Sequence, residues 1–285
     1  MLTKKFIGFT FIMSMISMAC GLSFSLPEDA IKTGQTQMIT FAIPAPDSAG
    51  ATQVQLEFGG GEMIIRPGET QLLLSGAATF NIDKLEPVVT TVNNSVKIEQ
   101  GSIDYEFTGL PNFGDVENTW DLKFSGFPIA LDIRAGAYKG DWEFGDLALQ
   151  ELKIFGGASN VDIAFSVPNR IPMSLFSFTS GFSDVKLLNL ANANFSLMNF
   201  RGGGGNYILD FSGVLLRDAS IEIEGGLGNI TVIVPSGVPA VVNVNRKLVN
   251  IISKGTWAGT DVLFSHPGEG PSLNGNVDLG AGVLQ

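Results

Sequence analysis

Short runs of alternating apolar and polar residues enter glycine-rich turns seven times along this chain, as in Leu131-Asp132-Ile133-Arg134-Ala135-Gly136 and again in Leu152-Lys153-Ile154-Phe155-Gly156-Gly157. Residues two apart in a strand share a face, so each run reads as a strand with one dry side and one wet side. Aligned on the turn glycine, the anchors are Gly136, Gly157, Gly181, Gly203 and Gly226, spaced 21, 24, 22 and 23 residues apart, with Gly282 near the end of the chain. A degenerate turn around Lys247 fills the remaining gap. Periods of this length are the mark of stacked repeats.

The apolar positions agree from repeat to repeat. Ile133, Ile154, Phe178, Phe200 and Ile223 stand three residues before the anchor, and Leu131, Leu152, Phe176, Met198 and Ile221 stand five before it. After the turn, Val161 and Ile163 match Val185 and Leu187, Tyr207 and Leu209, and Ile230 and Val232. Lys153, Asp162, Lys186, Glu222 and Thr231 fall on the wet side. Asn160, Asp184, Asn206 and Asn229 form a further column three residues beyond the anchor. Such side chains tolerate left-handed backbone and bond neighbouring amides, which predicts a stacked polar ladder. A row of ligand contacts is the alternative, but the column lacks the acid density of a calcium repeat.

The region before the repeats also carries strand signals: Gln37 to Ile43, Val54 to Phe58, Met63 to Ile65, Gln71 to Leu74, Val88 to Val92 and Ser95 to Ile98, bounded by Gly, Pro, Asn or Asp. Gly59-Gly60-Gly61 and Asn93-Asn94 read as hairpin or coil-corner turns. No helix-period apolar stripe of useful length follows the N-terminal apolar run. The expected organisation is all-β: a signal peptide over 1–19, a tether and first strand over 20–50, a hairpin-rich β section over 51–119, and a stacked-rung, β-solenoid-like array over 120–285. The expected open edge is Val283-Leu284-Gln285, where pairing with another chain would allow self-association.

Composition narrows the classes of partner. The chain has 285 residues, 35 glycines and a formal charge of −11; loss of the first nineteen residues leaves 15 basic against 28 acidic residues, a formal −13. Basic residues are scattered singly, so no patch for nucleic-acid phosphates is expected. Lys4 and Lys5, the apolar run Phe6 to Met18, then Ala19 and Cys20 have the order of an export signal, and the run is shorter than the roughly 20 residues that span hydrocarbon as a helix. Cys20 is the only cysteine, so no disulfide forms within the chain. Its place after Ala19 resembles the lipobox of bacterial lipoproteins, although Ser17 and Met18 replace the usual Leu and small residue. That resemblance implies acylation of Cys20 and a partner membrane reached through an N-terminal lipid.

Leu56-Glu57-Phe58-Gly59-Gly60-Gly61 with Ile64, then Pro87, Asn118-Thr119-Trp120-Asp121-Leu122 and Leu131 to Gly136, resembles the bacterial toast-rack domain family. Val277-Asp278-Leu279-Gly280-Ala281-Gly282-Val283 resembles the C-terminal repeat of related adhesin-like and cell-wall-stress response proteins. The resemblance covers about Gln53 to Gln285. It departs from the family at Phe155, Thr179 and Ser180, where Gly or Ala is usual. It implies an all-β stack of rungs outside the cell, behind a lipid or membrane anchor, with no catalytic residues.

The residues themselves point to little chemistry. His266, the only histidine, lies beside Pro267 and Gly268 and reads as a surface loop residue, since one imidazole makes neither a zinc site nor a triad by itself. Gly202 to Gly205 precedes a strand rather than a helix and reads as a corner, not a phosphate cradle. Arg134 and Arg201 share a repeat position, but Phe155 and Thr179 intervene, which breaks the row of basic groups that a β-helix polysaccharide lyase would need. Trp120, Trp142, Trp257, Tyr105, Tyr138 and Tyr207 offer flat faces for a glycan. Trp142 and Tyr207 fall in core columns, leaving Trp257 as the best exposed candidate. The expectation is a non-catalytic, exported, lipid-anchored envelope protein with a structural or adhesive role, no cofactor and no metal. The alternatives are an envelope sensor or glycan- or protein-binding module and, behind it, the lyase.

Overall fold

In the computed structural model the described residues are 33–45, 50–68, 71–102, 115–245, 248–260 and 262–285. The strands are β1 (Gln37–Pro44), β2 (Thr52–Pro67), β3 (Leu72–Phe80), β4 (Val88–Val92), β5 (Ser95–Glu99), β6 (Asn118–Phe124), β7 (Pro128–Glu143), β8 (Ala148–Ala164), β9 (Met173–Leu188), β10 (Phe195–Asp210), β11 (Ala219–Ile233), β12 (Ala240–Asn245), β13 (Leu248–Ile251), β14 (Ala258–Gly259), β15 (Leu263–His266) and β16 (Leu273–Leu284). Two 3₁₀ turns, Asp83–Leu85 and Leu190–Ala193, complete the elements.

The long strands are folded rungs rather than straight rods. Phe200 and Tyr207 lie seven residues apart, which extended chain would separate by about 23 Å, yet their rings are 5.2 Å apart. The chain therefore turns back between them at the glycine corner, and the inward faces of both arms meet. Alternation sets which side chains go in: in β8 Leu152, Ile154, Val161 and Ile163 are buried while Lys153, Phe155 and Asn160 face out.

Seven rungs stack in parallel register in the order β2, β7, β8, β9, β10, β11, β16. The aligned columns hold: Ile133 pairs with Ile154, Ile154 with Phe178, Phe178 with Phe200, and Phe200 with Ile223. All five are buried in one cluster. The connections between rungs are tied to one another by buried amides. Asn169 bonds Leu149 in both directions at 2.8 Å, and Asn192 Nδ2 donates to the Phe165 carbonyl at 2.8 Å.

The anchor glycines stack for a steric reason. A Cβ at Gly226 would lie 2.2 Å from the Gly203 carbonyl oxygen, one at Gly203 2.6 Å from that of Gly181, and one at Gly136 2.2 Å from that of Gly59. Only glycine allows rungs to approach so closely at the bend. Two positions onward runs a second column, in which Gly61, Gly205, Gly228 and Gly282 have φ between 127° and 143°.

Four expectations change. The stack begins at Thr52 rather than near Trp120, because β2 bends at Gly59–Gly61 and pairs with β7 along both arms; the hairpin β4–β5 and the strands β6, β3 and β1 cap this first rung. The last anchor is Gly280, which sits against Gly226, whereas Gly282 belongs to the second column. The rung expected around Lys247 is present as β12 and β13, flanking residues 246–247 outside the described set, but it stacks beyond β16 rather than before it. Consequently Val283-Leu284-Gln285 does not form a free edge: Val283 and Leu284 pair with Asn250 and Ile251 of β13 on one side and Asn229 and Ile230 on the other. The C-terminal strand is inserted into the stack, and the exposed edge there is that of β13.

Candidate functional site

The outward face between the arms' ends and the bend carries the row tested for lyase chemistry. In register it runs Glu57, Arg134, Phe155, Thr179, Arg201, Glu224, Asp278 and Asn245. Arg134 and Arg201 are three rungs apart, about 14 Å at the usual strand spacing. Each is tied to an acid, Arg134 to Asp132 at 3.1 Å and Arg201 to Glu224 at 3.1 Å. Lys186–Asp162 at 2.8 Å and Lys97 between Glu57 and Glu99 at 2.9 Å extend the same pattern. These pairs neutralise the wet face rung by rung and leave the two arginines no shared pocket. Among the described residues no three of His, Cys, Asp and Glu gather around a possible metal ion.

The predicted polar ladder forms over three rungs. Asn206 Nδ2 donates to Asp184 Oδ1 at 2.7 Å, and Asn229 Nδ2 donates to Asn206 Oδ1 at 2.9 Å. Positive φ belongs to the glycines just before Asn206 and Asn229 rather than to the ladder residues themselves. The ladder lies in the open at the corner and satisfies its own amides, so it acts as a strut.

The aromatics separate cleanly. Trp120, Trp142, Tyr138 and Tyr207 are buried. Tyr138 stacks on Trp142 with centroids 5.3 Å apart, and burial pushes its hydroxyl up to about 12, against a smaller opposing contact from Ser159. Tyr105 and Cys20 lie outside the described residues. Trp257 alone of the tryptophans is partly exposed, at the far end of the stack.

Trp257 is held there by His266, which is not a surface residue: it is 7% exposed. The ring lies 5.1 Å from that of Trp257, and its Nδ1 is 2.8 Å from the Val238 carbonyl, its Nε2 3.0 Å from Thr256 Oγ1. A carbonyl only accepts, so Nδ1 carries the proton, and in the neutral ring Nε2 accepts from the threonine. The imidazole thus pins the loop carrying Trp257 against β15. Sequence reasoning missed this because Pro267-Gly268 marks a turn without saying what lies beneath it.

Beside Trp257 is a half-open hollow of about 290 Å³ between the two arms of the last rungs. It arises because the core columns lose volume toward this end. Phe176, Met198 and Ile221 are followed in register by Gly275 and Val242, and Phe178, Phe200 and Ile223 by Val277 and Val244. The row of Phe144 and Phe165 ends past Phe211 at Val234, by backbone pairing one rung to the next. Gly275 is the extreme case. A Cβ there would meet nothing nearer than a Val242 methyl at 3.5 Å, so neither backbone approach nor φ demands glycine.

Residues 31–167 match the family model described as the N-terminal domain of toast_rack, DUF2154. That match, over a little under half of the chain, agrees with the toast-rack resemblance drawn from the glycine-bounded strands. Among solved structures, a "putative cell adhesion protein" from Clostridium sporogenes ATCC 15579 is similar at 16% identity and a TM-score of 0.51, covering 88% of this chain and 98% of that one. A "putative adhesin" from Bacteroides fragilis NCTC 9343 is similar at 15% identity and a TM-score of 0.45, covering 88% and 96%. At 16% identity the likeness to the Clostridium sporogenes protein is one of fold. No curated protein matches the chain.

Proposed function

We propose that the protein acts at the cell envelope as a non-catalytic structural or adhesive element, exported by its N-terminal signal and held at the membrane by a lipid on Cys20. The observation that carries the adhesive reading is an exposed apolar ridge along the corner of the stack. The register column Phe182, Gly204, Leu227, Ala281, Leu248 alternates large with small residues. Phe182, Leu227 and Leu248 are 74%, 63% and 80% exposed. Alternate rungs place these knobs about 10 Å apart. Contiguous exposed apolar surface is characteristic of protein contact sites, and the ion-paired face beside it keeps the rest of the stack soluble. The partner is an envelope protein or a glycan-bearing surface, with nucleic acid disfavoured by the acidic balance.

The test is attachment of cells displaying the full chain, compared with cells displaying Phe182→Asp, Leu227→Asp and Leu248→Asp together. Loss of most retained cells, with an unchanged thermal midpoint for the purified variant, supports the reading. Attachment that survives both the triple variant and deletion of the whole protein overturns it. Mass spectrometry of the mature N-terminus addresses the anchor, and an unmodified Cys20 removes it.

A further inference from the structure

The hollow at the last rungs is not an unavoidable fault of the fold. The six preceding rungs of the same register fill the Gly275 position with Val54, Leu131, Leu152, Phe176, Met198 and Ile221. At Gly275 the backbone has room for a side chain and carries none. Filling such a space is an easy way to gain stability. The opening is also large for an accident: about 290 Å³ is roughly twice the ~150 Å³ of an engineered apolar cavity that stays dry and takes up benzene.

Its chemistry is one-sided. Branched aliphatic side chains and Trp257, Phe211 and Phe264 form the walls, and Lys254 is the one charged side chain in the lining among the described residues. The other polar groups there are Ser253, Thr231 and Gln285, and the Gln285 main-chain oxygen already accepts from the Val232 N–H at 2.7 Å. Apolar walls offer a ligand no hydrogen bonds, so they select an apolar body. A single ammonium at the edge of a chain with formal charge −11 selects one negative group at that body's end.

We infer that this hollow binds a single-chain amphiphile with an anionic head, the tail lying between the two arms beside Gly275 and Val277, and the head meeting Lys254. The inference is independent of the adhesive reading, because the apolar ridge lies on the corner column and the hollow inside the arms. Trp257 is its natural reporter, since Trp120 and Trp142 are fully buried elsewhere in the core.

The probe is decanoate, kept below its micelle concentration and titrated into the purified full chain with calorimetry and tryptophan emission read together. Decanol and decyltrimethylammonium serve as the uncharged and cationic counterparts. The expected result is one saturable site per chain, with decanoate preferred about tenfold over the cationic probe. Affinity should rise about fourfold per added methylene along a shorter-to-longer carboxylate series until the space is full. Lys254→Gln should weaken decanoate about tenfold and leave decanol unchanged. Gly275→Leu should abolish binding while raising the thermal midpoint.

No saturable binding of decanoate by the wild-type chain overturns the inference, as does Gly275→Leu binding as tightly as wild type. Equal affinity for all three head groups overturns the anionic assignment. If Gly275→Leu fails to fold, Lys254→Gln and the chain-length series still decide between a site and a loosely packed core. Because the adhesion test reads cells and the ridge variants, either result can fail without the other.

Discussion

The middle rungs and the last rungs share one register and differ in what fills it. Around β9 and β10 the interior is aromatic: Phe178 stacks on Phe200 at 5.6 Å, and Phe200 meets Tyr207 edge-on at 5.2 Å. Around β11, β16 and β12 the same columns hold Ile221, Gly275 and Val242 beside Ile223, Val277 and Val244. Backbone pairing is present on both arms in both regions, so pairing is sufficient to stack a rung. Side-chain volume decides separately whether the rung encloses a solid core or a hollow.

The strongest way to break that contrast is to delete side chains from each region. Phe200→Ala removes a fully buried ring from the filled part, and about 3–5 kcal/mol of stability should go with it. Val277→Ala lines a hollow that already exists; the transfer of two methyl groups then dominates, about 1–2 kcal/mol, with little added for a new void. Denaturant midpoints of the two variants measure the difference. Equal losses would mean that the last rungs are packed as tightly as the middle ones.

Burial of a hydroxyl in the filled part gives the next effect. The Tyr138 hydroxyl is raised from 10.0 to about 12 by burial. The folded protein therefore keeps its phenolic proton longer than the unfolded chain does. Stability from this group is fully present below pH 10 and falls as pH rises toward 12, by up to about 3 kcal/mol. Tyr138→Phe should flatten that decline. An alkaline unfolding profile with the same slope in both proteins would remove Tyr138 as the cause.

A Cβ added to glycine should act with opposite sign in the two settings. Gly226→Ala drives a methyl against the Gly203 carbonyl oxygen, where no flexible side chain can give way, and should cost about 1–3 kcal/mol. Gly275→Ala meets only ordinary contacts and restricts the unfolded chain, for a gain of about 0.4–1 kcal/mol. Thermal midpoints moving in the same direction would show that Gly275 is needed by the backbone after all.

The pair of glycines also marks how far the sequence could be read. The stack, its two-arm rungs and the core columns were legible because alternation and the anchor spacing are local signals that every rung repeats. Gly282 was misassigned by two residues since Gly280-Ala281-Gly282 offers two glycines, and only the neighbouring carbonyl distinguishes them. The insertion of β16 ahead of β12 was not legible: parallel rungs with similar columns accept either order, and nothing local to residues 240–284 specifies which one neighbours β11. Trp257 was singled out as the exposed aromatic; it is half-buried against the core, and the hollow beside it depends on small side chains that β16 and β12 bring together. His266 was misplaced for a similar reason, its partners Val238 and Thr256 being brought to it by tertiary pairing.

The smallest effect concerns the outer corner. The ladder Asp184–Asn206–Asn229 supports the filled rungs and stops at β16, where Val283 stands opposite Asn229. Asn206→Ala removes both side-chain bonds, but the exposed Asp184 carboxylate and Asn229 amide left behind bond water instead, so the loss should be about 0.5–1 kcal/mol. Val283→Asn places an amide in register with Asn229 and should return a few tenths of a kcal/mol to the hollow end. Double-mutant coupling between Asn229→Ala and Val283→Asn isolates the new contact. Zero coupling would mean that the ladder follows the stack without supporting it.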